Sequence, residues 1–337
     1  SRNTVSKAIN NTGVLADATR ERVLQKAVEM GYKQFSYVNI ASGGRKEEPQ
    51  APTGEIALFF RGFIGNSHFA ATMLDKFQRE LSQLGYSFTM HRISEEMTDA
   101  LELPPSYHKE RTCGILCVEM FDRAYDEMLC SLGTPILFAD TPVVGLGEPL
   151  RADCLYMENR AGIHSLVGEM ARRGKTRIGF IGEYLHCQSF FERYMAYRNA
   201  MYLAGLSCRE EWCLIGNDVV LRRPEGVDYQ DYLTGCIQGM DALPEVFLCA
   251  NDAVALDAMQ AFKKLRIAVP GDVWLCGFDD SPEAGVVTPT LTTVHIHSQI
   301  MGFSAVHLLV SRIKEPSLNF RTMHTETNVI YRESTGD

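Results

Sequence analysis

The chain has 337 residues, 45% of them hydrophobic and 22% charged, with 33 Lys and Arg against 42 Asp and Glu for a formal charge of −9. That length suits two or three folded units, the balance excludes wholesale disorder, and no apolar run approaches the ~18 residues of a membrane span. The acidic total argues against nucleic acid, but it is unevenly placed. Residues 1–46 carry eight basic and three acidic side chains, a net +5, which leaves −14 on the other 291 residues. A small basic head on a large acidic body assigns any polyanion to the head.

In chain order, the spacing first predicts a short helix over 1–10, capped by Ser1. Val5, Ala8 and Ile9 share one face, and Arg2, Asn3, Ser6, Lys7 and Asn10 the other. Asn11-Thr12-Gly13 breaks it. A second helix is predicted from about 18 to 30, with Asp17 as cap, Val23, Leu24, Ala27 and Val28 as buried stripe, and Gly31 as stop. Two helices this short cannot bury a core alone, and the sequence starts at Ser, so a preceding helix is expected to be missing. Residues 35–53 end in a stretch rich in Gly, Pro and charge, which marks a linker.

From Gly54 onward, strands and helices alternate. Buried strands are predicted over 55–60, 86–92, 113–118, 135–140, 177–181, 246–251, 273–279 and 291–297. Helices are predicted over 69–84, 160–173, 189–204, 253–265 and 299–313. Such alternation gives parallel sheets wrapped by helices, and the length from 54 to 337 exceeds one such sheet, so two doubly wound lobes are expected. The ten cysteines include no CxxC pair and mostly sit in apolar runs. They read as reduced, buried thiols of a cytoplasmic protein rather than a disulfide framework. Cys113 and Cys117, and His295 and His297, lack a four-ligand zinc spacing, so no metal is assigned.

Several motifs follow one another in a distinctive order. The head has Thr4-Val5-Ser6-Lys7 with Asn10, then Thr19-Arg20-Glu21-Arg22-Val23-Leu24, then Met30-Gly31-Tyr32. The body has Asn66-Ser67-His68-Phe69, Asp140, Ser189 with Arg193, Asn251-Asp252, Gly277-Phe278-Asp279-Asp280, Pro289-Thr290-Leu291-Thr292-Thr293 and Tyr331-Arg332-Glu333-Ser334-Thr335. Over nearly the whole chain this series resembles the lactose-repressor (LacI/GalR) family of bacterial transcription regulators.

The resemblance implies an α/β protein with two doubly wound parallel-sheet lobes, periplasmic-binding-protein-like, preceded by a partial all-α helix-turn-helix head. The head would span 1–34, a hinge or linker 35–53, and the effector-binding and dimerisation domain 54–337. Lobe 1 is expected at about 54–157 and 296–320 and lobe 2 at about 158–295 and 321–337, with crossovers near 157, 296 and 321. As a recognition helix, residues 1–10 would set Arg2 against guanine, Asn3 against adenine and Lys7 against guanine or phosphate. Thr4, Ser6, Asn10 and Thr19 would bind phosphate and set register. The family's hinge helix wedges a leucine into the minor groove; Ala41 stands at that position here, and Ile40 beside it is the substitute wedge.

Ligands of open parallel sheets bind beyond the carboxyl ends of the strands, where Asp140, Asn251 and Asp279 each follow an apolar run. A carboxylate accepts two hydroxyls, an amide donates and accepts, and a guanidinium grips a carboxylate, phosphate or hydroxyl pair. The resemblance puts Arg193, Asn251 and Asp279 on the effector, with Arg61, Asn66, Ser67, His68, Phe69 and Glu119 from the first lobe. Each has a structural alternative. Asn251-Asp252 would cap the helix beginning near 253, Asp279 a turn, Arg193 would pair with an acid on its own helix, and His68 and Phe69 would pack. Arg61, His68 and Arg193 lean toward a sugar acid or phosphate; Asp140, Glu119 and Asp279 lean toward a neutral polyol. A carbohydrate is the expected effector.

The expected function is that of a sequence-specific DNA-binding regulator, a repressor, acting as a homodimer on double-stranded operator DNA and controlled allosterically by a small molecule between the lobes. No cofactor, metal or membrane partner is expected. A solute-binding protein of a sugar transporter shares the two-lobed fold, but the basic head, the ten cysteines and the lack of an export signal count against it. There is no Walker loop, GxSxG elbow, HExxH or dinucleotide GxGxxG, so no enzymatic activity is expected.

Overall fold

A computed structural model describes residues 54–62, 68–145, 147–216 and 226–337, with the isolated positions Thr4, Thr19, Arg22, Val23 and Lys26. Those five are helical, and each falls within one of the two helices predicted for the head. Arg2, Asn3, Ser6, Lys7, Asn10 and Ile40 lie outside the described residues, as does the linker. The chain divides into a unit of Ser1–Gln50 and a unit of Ala51–Asp337. The second contains two α/β lobes.

The first lobe is a six-stranded, all-parallel sheet. Its strands are β1 (Gly54–Phe60), β2 (Tyr86–Arg92), β3 (Thr112–Val118), β4 (Ile136–Ala139), β5 (Asp153–Met157) and β11 (Thr322–Thr325), in the order β2-β1-β3-β4-β5-β11. Successive side chains of a strand point to opposite faces. Ile56, Leu58, Leu116 and Val118 meet Met73 and Phe77 of α1 (His68–Gln83) and Ala305 and Leu309 of α8 (Ser298–Lys314). Ala57, Phe59, Ile115 and Cys117 meet Tyr125 and Leu129 of α3 (Arg123–Ser131). A short α2 (Glu95–Ala100) follows β2, capped by the Ser94 hydroxyl. Because both faces are covered, the central strands β1, β3 and β4 read as near-continuous apolar runs rather than alternating ones.

The second lobe has parallel strands β6 (Ile178–Ile181), β7 (Cys213–Leu214), β8 (Val246–Cys249) and β9 (Trp274–Cys276) in the order β7-β6-β8-β9. Helices α4 (Ala161–Arg172) and α5 (Gln188–Leu203) pack on Phe180 and Leu248 of one face; α6 (Tyr229–Gln238) and α7 (Asp252–Lys264) pack on Phe247 and Leu275 of the other. Strands β10 (Thr293–Ile296) and β12 (Thr327–Ile330) pair antiparallel, and β10 touches the end of β9 through bridges Cys276 to Thr292 and Asp279 to His295.

The five helices predicted after Gly54 agree with the observed ones to within one residue at each end. One boundary needs correction. The first lobe does not end near 320: β11 runs parallel to β5, with Thr322 opposite Cys154 and Thr325 opposite Met157, so the third crossover lies at about 326 rather than 321. The cause is an ion cluster under the sheet edge. Asp153, fully buried, accepts hydrogen bonds from Arg312 of α8 at 2.8 and 3.1 Å and from Arg321, both guanidinium (2.7 Å) and backbone N–H (2.8 Å). This anchors the segment leading into β11. Three of the four β11 residues are exposed, so no apolar run announces the strand. Strand β7 is only two residues long, and β5 and β12 were likewise not among the predicted strands.

Candidate ligand site at the strand ends

The carboxyl ends of β3, β4 and β9 are each followed by an acid in an unusual backbone conformation. Glu119 (φ 52°), Asp140 (φ 65°), Asp279 (φ 123°) and Asp280 (φ 55°) all lie on the left-handed side, where residues other than glycine are uncommon. Such strain costs on the order of 1–3 kcal/mol each and collects where structure serves function. Asp280 is spent on structure, accepting from Arg332 and His295 of the C-terminal segment and β10. Of the other three, Asp279 and Asp140 interact with one buried guanidinium, and Glu119 acts on Asp279.

That guanidinium is Arg193 on α5, only 2% exposed. Its Nε donates to Asn159 Oδ1 at 2.9 Å and its Nη1 to the Ala250 carbonyl at 2.7 Å. It lies over the Phe278 ring, 3.6 Å from the centroid, and pairs with Asp279 Oδ1 at 3.5 Å. Gly182, at the end of β6 with φ of 144°, lets Ala250 come this close, since a Cβ there would collide with the Ala250 side chain. Burial drives the Asp279 pKa up to about 8; Arg193 opposes the rise, and Asp252, Glu119 and Asp140 add to it. Burial and three like charges outweigh one cation, so Asp279 is largely protonated at pH 7 when nothing else is bound.

Asp140 plays a second part. Its Oδ1 accepts from its neighbour Thr141 N–H (2.8 Å) and from Ser189 N–H (3.2 Å), at the start of α5 in the other lobe. Helix α5 has no side-chain cap of its own, so an acid of the first lobe satisfies one of its orphan N–H groups. Burial raises the Asp140 pKa, against these hydrogen bonds and the Arg193 charge. Beside it, Gln188 N–H donates to the Thr141 carbonyl (2.8 Å), Gln188 Oε1 accepts from Val144 N–H (3.1 Å), and Glu192 lies 3.7 Å from His324. Phe121 meets His186 edge-on at 5.1 Å between ring centroids.

The predicted residues therefore separate into groups. Arg193, Asp279, Asp140 and Glu119 come together electrostatically. Asn251 caps α7, its Oδ1 accepting from Val254 N–H at 2.9 Å, which leaves its Nδ2 to donate. Asp252 is buried and holds the following turn through Thr293 (2.5 Å) and Ser281 N–H (2.7 Å). Arg193 pairs with residues from other elements, not with an acid on α5. Phe69 packs against the first lobe's core. His68 opens α1; its side chain and Ser67 lie outside what is described.

Arg61 lines an open cavity on the first lobe with Gly62, Arg92, Ile93, Ser94, Glu95 and Glu96, and its carbonyl accepts from Arg92 Nε (3.4 Å) beside the end of β2. Sequence reasoning missed Asn159, which is fully buried and binds Arg193, Ser189 (3.3 Å) and Glu192 (2.9 Å) from the first crossover. Its signal is the apolar run Cys154-Leu155-Tyr156-Met157, of strand type, which ends two residues before it. Phe121, His186, Glu192 and His324 carry no such signal. Among the described residues no group of three His, Cys, Asp or Glu is placed to hold a metal ion, and no helix is long and apolar enough to cross a membrane.

The model of the periplasmic binding protein-like domain matches residues 167–335, just over half the chain. The HTH-type transcriptional repressor PurR of Vibrio parahaemolyticus is 26% identical over 343 residues, covering 98% of this chain and 94% of that protein. The HTH-type transcriptional regulator GalR of Lacticaseibacillus casei is 25% identical, covering 98% and 95%. Among solved structures, that of the transcriptional regulator CelR in complex with cellobiose superposes with a TM-score of 0.69 at 23% identity, over 99% of this chain and 96% of that one. With two parallel-sheet lobes, three crossovers and a basic head that aligns along with them, the chain belongs to the periplasmic binding protein-like fold family and is a transcriptional regulator of the LacI/GalR type.

Proposed function

We propose that this regulator is a cytoplasmic, homodimeric repressor whose operator affinity is set by a neutral, polyhydroxylated ligand, a sugar or sugar derivative, held between its lobes. The observation that carries the reading is the pairing of the buried Arg193 with Asp279, with Asp140 and Glu119 in electrostatic reach of Asp279. One cation among three carboxyl groups disfavours a sugar acid or phosphate, which would add negative charge to an already acid-rich site. Vicinal hydroxyls suit it: Arg193 and the Asn251 Nδ2 donate, while Asp279 and Glu119 accept. The cellobiose bound to CelR supports the same ligand class, and the repressor relative PurR supports the repressor reading.

Ligand in the cleft acts on the contacts that hold α5 to the first lobe at Asp140, Thr141 and Val144. Any difference in ligand affinity between lobe arrangements then appears as a change in DNA affinity. In the head, Arg2, Asn3 and Lys7 read bases, Thr4, Ser6, Asn10 and Thr19 hold phosphates, and Ile40 wedges the minor groove. No catalytic step belongs to this account. The test is a thermal-shift screen of sugars, sugar acids, sugar phosphates and purines, since a ligand at 100 times its Kd adds about 2.7 kcal/mol of stability. A neutral sugar is expected to stabilise the wild type and not Arg193→Ala. Stabilisation by a phosphate or purine alone would replace the proposed ligand class.

A further inference from the structure

The loop between α5 and β7 brings two thiols to one buried phenol. Cys208 Sγ lies 3.6 Å and Cys213 Sγ 3.9 Å from the Tyr197 hydroxyl oxygen, which itself donates to the Ile178 carbonyl at 2.8 Å. Both sulfurs thus approach the same oxygen, and the Cys213 thiol also reaches the Arg209 carbonyl at 3.4 Å. Their accessibility is unequal. Cys208 is half-buried between exposed Ser207 and Arg209, whereas Cys213 is buried behind it at the start of β7. Four residues separate them, through the single helical turn of Glu210, Glu211 and Trp212.

The electrostatics are unequal too. The Cys208 thiol is held below its ordinary value by the adjacent Cys213 thiol and the Arg198 charge, against burial and Glu210. The other nine thiols are all pushed up, chiefly by burial except at Cys213, where the neighbouring Cys208 thiol is the larger cause. The thiolate is the reactive form, so reactivity concentrates at one position with a second thiol directly behind it. Arg198 is itself partly exposed and bound to Glu210 at 2.8 Å and Tyr194 at 3.2 Å, which fixes its charge beside the loop.

We infer that Cys208 and Cys213 form a hydroperoxide-reactive dithiol site that closes reversibly to an intramolecular disulfide. The Cys208 thiolate attacks the terminal oxygen of a hydroperoxide; the O–O bond breaks, the alkoxide or hydroxide leaves and is protonated, and Cys208 becomes a sulfenic acid. The Cys213 sulfur then attacks Cys208 Sγ. The S–S bond forms, the S–O bond breaks, and the hydroxyl departs as water with the Cys213 proton. In balance, two thiols and one hydroperoxide give a disulfide, one water and one alcohol (or a second water from hydrogen peroxide). A cellular dithiol or glutathione reverses it by exchange. The site is separate from the ligand cleft and gives the regulator an input other than its effector.

The test uses the full chain and hydrogen peroxide. Without oxidant at pH 7, limiting iodoacetamide is expected to label Cys208 at least about tenfold faster than any other cysteine. After one equivalent of peroxide and alkylation, peptide mass spectrometry should find the Cys208–Cys213 cross-link, lost again on treatment with dithiothreitol. Cys213→Ser should instead accumulate a dimedone-reactive sulfenic acid at Cys208, and the surface variant Arg198→Gln should slow Cys208 labelling. The wild-type measurements need no variant to fold. Labelling spread evenly over the cysteines, a disulfide formed elsewhere, or oxidation that stays on Cys208 with Cys213 free would each overturn the inference.

Discussion

Asp279 shows how much of a binding site depends on surroundings that a linear sequence does not display. Its place after the apolar run 274–278 marks it as a strand-end residue, and the family motif marks it as a ligand contact. Neither reveals that it pairs with Arg193 within electrostatic reach of Glu119 and Asp140, each in a left-handed backbone conformation. Asn159 was illegible for the same reason: its value lies in reaching Arg193, Ser189 and Glu192 at once from a crossover. A prediction follows from the charge state. Hydroxyls donated to Asp279 stabilise its ionised form, and the free group titrates at about 8. Binding therefore releases protons below that pH, and ligand affinity rises between pH 6 and pH 8 by at most about tenfold per unit. Calorimetry in buffers of different ionisation enthalpy reads the proton release directly. Asp279→Asn should flatten the profile, and a pH-independent wild type would contradict the assignment.

Among the elements, long helices and doubly covered strands were legible because their signals are local: a period of 3.6, or a run of apolar residues between glycines. What escaped were short strands, the fully buried β5 and the two-residue β7 among them, and elements made by tertiary contacts. Strand β11 exists because Asp153 holds Arg321 and Arg312. Breaking this cluster should be costly. Asp153→Ala leaves two guanidinium groups at the edge of the sheet, Arg312 among them only 4% exposed, and should destabilise the protein by ~3–5 kcal/mol in urea unfolding. The pH dependence has a definite sign. Burial alone would raise the Asp153 pKa, but Arg312 and Arg321 hold it below the ordinary value of 3.8. Its contribution is therefore present above pH 3.8 and lost as the pH falls through the depressed value. A variant as stable as wild type at pH 7 would show that the cluster does not anchor β11.

For the molecule as a whole, the opening charge of −9 misleads until it is divided into a basic head of +5 and an acidic body of −14. The body repels phosphate and the head attracts it, so DNA affinity should fall steeply with salt, by about 0.9 in log K per log unit of salt for each phosphate contacted. Affinity for a neutral sugar should barely move over the same range. Equal salt dependence for both would argue for a charged effector. The central claim is that a ligand gripped by Arg193 and Asp279 controls binding by the head, and it is tested most directly by measuring operator affinity of wild type and Arg193→Ala with and without the stabilising sugar. The account predicts that wild-type affinity changes at least about tenfold with the sugar, a coupling of ~1.4 kcal/mol, while the variant binds operator as wild type does without ligand and no longer responds. A variant whose DNA binding still shifts with the sugar as the wild type's does would contradict it.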